Sequence, residues 1–172
     1  MLTKRTVLSL GIGGAAAVTV AKWWGTAPAT ASSDGAFEIV KTEEEWRAQL
    51  TPQQFAVLRE EATERPFTSP LNDEKRAGVY HCAGCEQELF LSETKYDSGT
   101  GWPSFWQEIE GKVGYKTDYK LFVPRTEEHC SRCGGHLGHV FDDGPAPTGK
   151  RHCINGVALK FVPADGAEPV FG

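Results

Sequence analysis

Basic charge is in deficit: 18 Lys and Arg face 23 Asp and Glu, a formal net charge of −5. Residues 1–31 hold Lys4, Arg5 and Lys22 and no acid, so the remainder is more acidic still. Phosphate binding needs a basic face, and this balance excludes nucleic acid as an expected partner. Long apolar runs are also missing. The longest, Val7 to Ala21, is about 15 residues, short of the roughly 20 that span a bilayer. There is no internal repeat beyond two C-x-x-C pairs, no low-complexity tract, and no alternation of strands with long helices of the kind that builds a parallel sheet. Cysteine is scarce, with five in 172 residues. What is present, at 40% hydrophobic and 24% charged, suits one folded domain with a single core.

The N-terminus reads as an address rather than a fold. Lys4 and Arg5 form a basic head, an apolar Gly-rich stretch follows, and Ala29 and Ala31 give a small-x-small site before Ser32. Residues 1–31 are expected to be an export signal, with an uncleaved membrane anchor as the alternative. "TKRTVL" resembles the twin-arginine signal with Lys4 in place of its first arginine. The protein is therefore expected outside the cytoplasm, in the periplasm. Residues 32–41 form a linker, and one domain covers 42–172.

Two short helices open that domain. Thr42 and Glu45 make one capping box, Thr51 and Gln54 another, with Pro52 at a first helical position. Phe55, Leu58 and Ala62 fall on one face of the second helix. After the prolines of "ERPFTSPLN" the chain turns to short β-type runs between Gly, Asn, Asp and Pro: "GVYHC", "ELFLS", "GKVGY", "YKLFV", "HLGHVF" and "GVALKFV". The expected fold is mainly β and antiparallel, with a small helical N-terminal cover.

Four cysteines come as Cys82/Cys85 and Cys130/Cys133. Each C-x-x-C turns two thiolates to one side of a tight turn, and two such turns together make a tetrahedral all-sulfur zinc site. The intervening residues 86–129 can hold a β excursion, so one structural zinc would staple two hairpins. Two disulfides are the rival, open to an exported protein. His81, His129 and His136 lie close in sequence, but four thiolates already fill a structural site.

Cys153 has no partner. As a free cysteine it could simply pack as a small hydrophobe. Yet Arg151 and His152 precede it, and a nearby cation lowers a thiol's pKa and yields the nucleophilic thiolate. On a strand Arg151 and Cys153 share a face and His152 takes the other, while Asn155 puts an amide beside the thiol.

The stretches "YHCAGCEQELFLSETKYDSGTGWPSFW" and "CSRCGGHLGHVFDDGPAPTGKRHCING" resemble the B-type peptide-methionine sulfoxide reductases, over roughly residues 42–163. The resemblance implies two antiparallel sheets stapled by zinc on Cys82, Cys85, Cys130 and Cys133. It implies Cys153 as nucleophile, with His136, His139, Asn155 and Arg151 around the sulfoxide oxygen. Trp102 and Phe105 of "GTGWPSF" would contact the substrate methyl, and the R epimer would be reduced. The chemistry fits: an apolar methyl wants an aromatic wall, sulfur a thiolate, and the departing oxygen an acid. Thr100 stands where many members have a resolving cysteine, His152 where a tyrosine-like residue is usual, and Gly156 where serine is frequent. With no spare thiol, reduction is expected from an external thiol such as a thioredoxin-like protein, on a monomeric enzyme. A zinc-stapled binding module and a thiol peroxide sensor are the rival functions; only the first would tolerate loss of Cys153.

Overall fold

The computed structural model describes residues 37–120 and 123–172; the expected export signal lies outside them. Two helices come first, α1 (Glu43–Gln49) and α2 (Pro52–Glu60). Both begin as the sequence predicts. Thr42 Oγ1 accepts from the Glu45 N–H and Glu45 returns the bond to the Thr42 N–H at 2.8 Å; Thr51 and Gln54 do the same at 3.2 and 3.0 Å. Helix α2 stops before Ala62, because Glu61 takes a left-handed conformation (φ 56°). Ala62 nevertheless packs against the core.

Ten strands follow: β1 (Gly78–Cys82), β2 (Glu88–Leu91), β3 (Lys95–Tyr96), β4 (Ser104–Phe105), β5 (Val113–Asp118), β6 (Arg125–Cys130), β7 (His136–Phe141), β8 (Arg151–Ile154), β9 (Leu159–Pro163) and β10 (Val170–Phe171). They form two sheets, in the orders β10-β9-β1-β2 and β3-β4-β8-β7-β6-β5, and every pairing is antiparallel. Fully buried aromatics join the sheets. Phe105 of the larger sheet stacks on Phe90 of β2 (centroids 4.4 Å apart) and meets Tyr80 of β1 edge-on at 4.9 Å; Tyr80 in turn meets Phe161 of β9 at 4.8 Å. Each such side chain contributes about 1.5–3 kcal/mol relative to exposure.

Two expectations fail locally. "YKLFV" is not a strand at its described residues Tyr119, Lys120 and Val123, and the ladder ends at the pair Asp118↔Arg125. "GVALKFV" begins as a tight helical turn, Gly156–Ala158, and becomes strand only at Leu159.

The helices cover the two cysteine turns. Leu58 of α2 would lie 3.5 Å from a Cβ at Gly84 and 3.0 Å from one at Gly135. Gln49 donates to the Gly84 carbonyl at 2.6 Å, and Arg59 to the Cys133 carbonyl at 3.0 Å.

Candidate active site and metal centre

Cys82 and Cys85 close the β1–β2 hairpin in the small sheet, and Cys130 and Cys133 the β6–β7 hairpin in the large one. All four are buried, and their sulfurs lie within 4.8 Å of one another. Cys82 Sγ is 3.8 Å from Cys133 Sγ, and Cys85 Sγ is 3.5 Å from Cys130 Sγ. A disulfide would need about 2.05 Å. Four sulfurs about 2.3 Å from a central ion sit about 3.8 Å apart by tetrahedral geometry. The donor set therefore fits a metal and not two disulfides. The histidines stay out: His81 Nδ1 is engaged with the Glu86 carbonyl at 3.0 Å, and His136 lies against Glu127.

The fifth cysteine is placed differently. Strand β8 runs inside the large sheet, with Cys153 opposite His139 on β7 and opposite Ser104 on β4. Directly opposite residues share a face, so thiol and imidazole point the same way. Arg151 shares that face, as strand alternation requires. His152 takes the other face, where it is buried: its Nδ1 is 2.6 Å from Glu128 Oε1 and its Nε2 3.2 Å from Glu108 Oε2. Gly138 allows the close approach of β7 and β8, since a Cβ there would come within 2.0 Å of the Cys153 carbonyl oxygen.

Cys153 opens on a cavity of about 120 Å³, whose walls include Trp102, His139, Phe141, Asn155, Thr63 and Arg125. It has the scale of one side chain; sites for drug-sized ligands start near 300 Å³. His139 Nε2 lies 2.8 Å from Asp118 Oδ2, and Arg125 donates to that same oxygen at 2.6 Å. The Lys120 backbone N–H, first, and then the His139 and Arg125 bonds hold Asp118 far below the usual carboxylate range. An ionised Asp118 accepts, so His139 Nε2 carries the hydrogen and Nδ1 is left as the basic nitrogen. Burial pushes the His139 pKa down despite Asp118, which leaves its ring neutral at neutral pH.

Burial also pushes the Cys153 thiol up, against the pull of Arg151 and of Thr100, whose Oγ1 is 4.0 Å from Sγ. Here the expectation of a thiolate lowered by its cation is corrected. Arg151 spends its charge on Asp143, bonded through Nε and Nη2 at 2.8 and 2.9 Å, and stacks over Phe141 with Cζ 4.3 Å from the ring centre. The resting pair is thiol and neutral imidazole.

Two other expected site residues lie off this cavity. Phe105 is fully buried in the aromatic core: on β4 it alternates with Ser104, so it takes the face opposite Cys153, away from this cavity. His136 is buried behind His139, ring centres 5.5 Å apart. Residues three apart on a regular strand face opposite ways. A bulge at Leu137, where pairing passes from Glu128↔Gly138 to His129↔His136, brings His136 round. Its Nδ1 is 3.0 Å from Glu127 Oε1 without hydrogen-bond alignment, and neither ring nitrogen has a bonded partner among the described residues. Asn155 lines the cavity but is largely committed: its amide donates to the Leu137 carbonyl at 2.9 Å and its oxygen accepts from the Glu64 N–H at 3.0 Å.

Glu64 is the residue that sequence reasoning missed. Its carbonyl accepts from Trp102 Nε1 at 3.2 Å, and its carboxylate takes the N–H groups of Gly156 and Val157 at 2.6 and 3.0 Å. One buried acid thus orients the aromatic wall, the amide and the turn that follows Cys153 and Ile154. Asp118 was missed as well. No pattern announces either; each is an isolated acid in turn-like sequence.

The five cysteines divide by placement. Four are gathered where an ion can hold them; one alone reaches a cavity, beside an imidazole whose tautomer a carboxylate sets. That division defines a β protein with one thiol open to a cavity and a metal-competent staple. A SelR domain matches residues 50–163. The chain is 59% identical over 124 residues to the peptide methionine sulfoxide reductase MsrB of Methanosarcina barkeri, covering 72% of this chain and 87% of that protein. Against the MsrB of Pseudomonas putida it is 56% identical over 131 residues, 76% of this chain and 98% of the relative. Against that of Leptospira interrogans the figures are 51%, 126 residues, 73% and 96%. The chain belongs to the MsrB family of peptide methionine sulfoxide reductases.

Proposed function

We propose that the protein reduces the R epimer of methionine sulfoxide in oxidised proteins to methionine, with Cys153 as nucleophile. The observation that carries this reading is the shared cavity of Cys153, His139 and Trp102 in a chain of this family. The sulfoxide methyl rests on the Trp102 ring, with its oxygen toward His139. The Cys153 thiol gives its proton to His139 Nδ1 as sulfur attacks sulfur. The imidazolium returns that proton to the sulfoxide oxygen, which moves to Cys153. Methionine leaves and Cys153 is a sulfenic acid; the substrate sulfur gains two electrons and the cysteine sulfur loses two.

With Thr100 beside Sγ and the other four thiols gathered apart, the sulfenic acid meets an external thiol. Water leaves as a mixed disulfide forms, and a second thiol releases Cys153. A thioredoxin-like protein suits this step. Zinc is the ion that four buried thiolates favour, one per chain, holding the two sheets and taking no part in turnover. The basic, apolar and small-residue segments of 1–31 support export to the periplasm, and the reading is of a monomer.

The test is turnover of the two separated epimers with dithiothreitol, by wild type and Cys153→Ser. The R epimer alone should be reduced, and the variant should be inactive. Folded, metal-loaded protein that turns over neither epimer sinks the reductase reading. Faster consumption of hydrogen peroxide than of methionine sulfoxide would favour a peroxide sensor.

A further inference from the structure

Trp102 borders two hollows. One holds Cys153; the other, of about 180 Å³, is also lined by Phe67, Tyr96, Gly101 and Pro103. Phe67 is unusual on three counts. Its φ is 64°, a left-handed conformation that a bulky residue rarely adopts. Its N–H donates to the Gly101 carbonyl at 2.7 Å. Its ring lies against Gly101 (φ 92°), where a Cβ would come within 2.9 Å of the ring carbons. All this holds an aromatic side chain that is 73% exposed, beside the wall of the catalytic cavity. An exposed phenylalanine is ordinary by itself. One kept there by backbone strain, and seated where only glycine fits, is a presented surface.

We propose that this second hollow is a subsite for an apolar side chain next to the sulfoxide in a substrate polypeptide. The proposal rests on the reductase reading and deepens it by naming the kind of residue favoured beside the sulfoxide. The 120 Å³ cavity has room for one side chain, so the polypeptide backbone runs across the rim, over Trp102, and its next residue meets the Phe67 ring. The charges around the hollow balance, Asp73 and Asp97 against Lys75 and Lys95, and the Lys95 amine is occupied by the Asn72 carbonyl at 2.8 Å. A charged flank gains nothing there; an apolar one gains the ring.

The probes are acetyl-Gly-Met(O)-Gly-amide and acetyl-Phe-Met(O)-Phe-amide, each as the pure R epimer, reduced with dithiothreitol. Wild type should favour the phenylalanine peptide about tenfold in kcat/KM, the scale of one buried apolar group. Phe67→Gly removes the ring and suits the left-handed backbone, so thermal unfolding should stay at or above that of wild type. In it the ratio between peptides should fall to about one, and Phe67→Tyr should restore it. A ratio near one in wild type, or a ratio kept in Phe67→Gly, overturns the subsite. So does faster turnover of free methionine sulfoxide than of either peptide. If wild type turns over neither peptide and no free sulfoxide, the reductase reading itself has failed.

Discussion

Removing one cysteine turn should show what the staple is worth. In the double substitution Cys82→Ala, Cys85→Ala, the β6–β7 turn keeps two thiols and no ion can bridge the sheets. The link lost joins Cys85 to Cys130, whose sulfurs are 3.5 Å apart. Treated as a cross-link closing a loop of about 45 residues, it constrains the unfolded chain by about 4 kcal/mol at 25 °C. A domain of this size has a total stability of about 5–15 kcal/mol, so the loss is about a quarter or more. The shift in thermal midpoint should be about 12 °C or larger. Circular dichroism would follow unfolding, with metal content measured on the same samples. Cys153→Ala is the control: it removes a thiol but no bridge, and should move the midpoint by no more than a few degrees. A double variant that unfolds within about 3 °C of wild type would refute the reasoning, as would a metal-stripped wild type with an unchanged midpoint.

Three further outcomes are expected. Alkylation of Cys153 by iodoacetamide should accelerate as pH rises beyond the ordinary thiol range, because burial holds the thiol protonated; a rate already maximal below neutral pH would contradict this. Asp118→Asn should lose stability that wild type has above the unfolded aspartate pKa. Because the folded Asp118 is held down, that advantage is lost as pH falls through its depressed folded pKa, so the two unfolding curves should converge in strong acid; a gap independent of pH would remove the ionised carboxylate from the account. Thr100→Cys should place a second thiol beside Cys153, given the present 4.0 Å contact. After one turnover without reductant, mass spectrometry should then find a disulfide between positions 100 and 153, and recovery of two free thiols would exclude it.

Much of the fold was legible because its signals are local. Both capping boxes name their own partners, and "GVYHC" and "HLGHVF" became strands with the bounds the sequence proposed. Strand β6, "RTEEHC", was not legible: its polar residues look like a surface loop. The fold absorbs them on both faces, Glu127 against His136 and Lys116, Glu128 against His152. "YKLFV" failed in the opposite way: it has strand composition, yet its described residues Tyr119, Lys120 and Val123 lie outside the ladder that ends at Asp118↔Arg125. Residue type and motif singled out Cys153, His139 and Trp102, and the fold lines one cavity with all three. Phe105 misled because a motif shows adjacency and not which face a side chain takes. Glu64 and Asp118 act through contacts with distant chain segments, and nothing in the residues beside them records those contacts. The chain's single methionine is Met1, so the described fold offers this chemistry no substrate of its own.

The hydrogen bond between His152 and Glu128 behind the sheet has a consequence for its front. Glu128 is fully buried and His152 nearly so, 2.6 Å apart, and His152 is the immediate neighbour of Cys153. Slippage of β8 by one residue would exchange the faces of all its side chains. The thiol would turn inward, His152 would rise into the cleft, and the buried Glu128 would be left without its hydrogen-bond partner, a penalty of about 1–3 kcal/mol. The pair is a register lock: an alignment error that would hide the Cys153 sulfur is punished on the opposite side of the sheet.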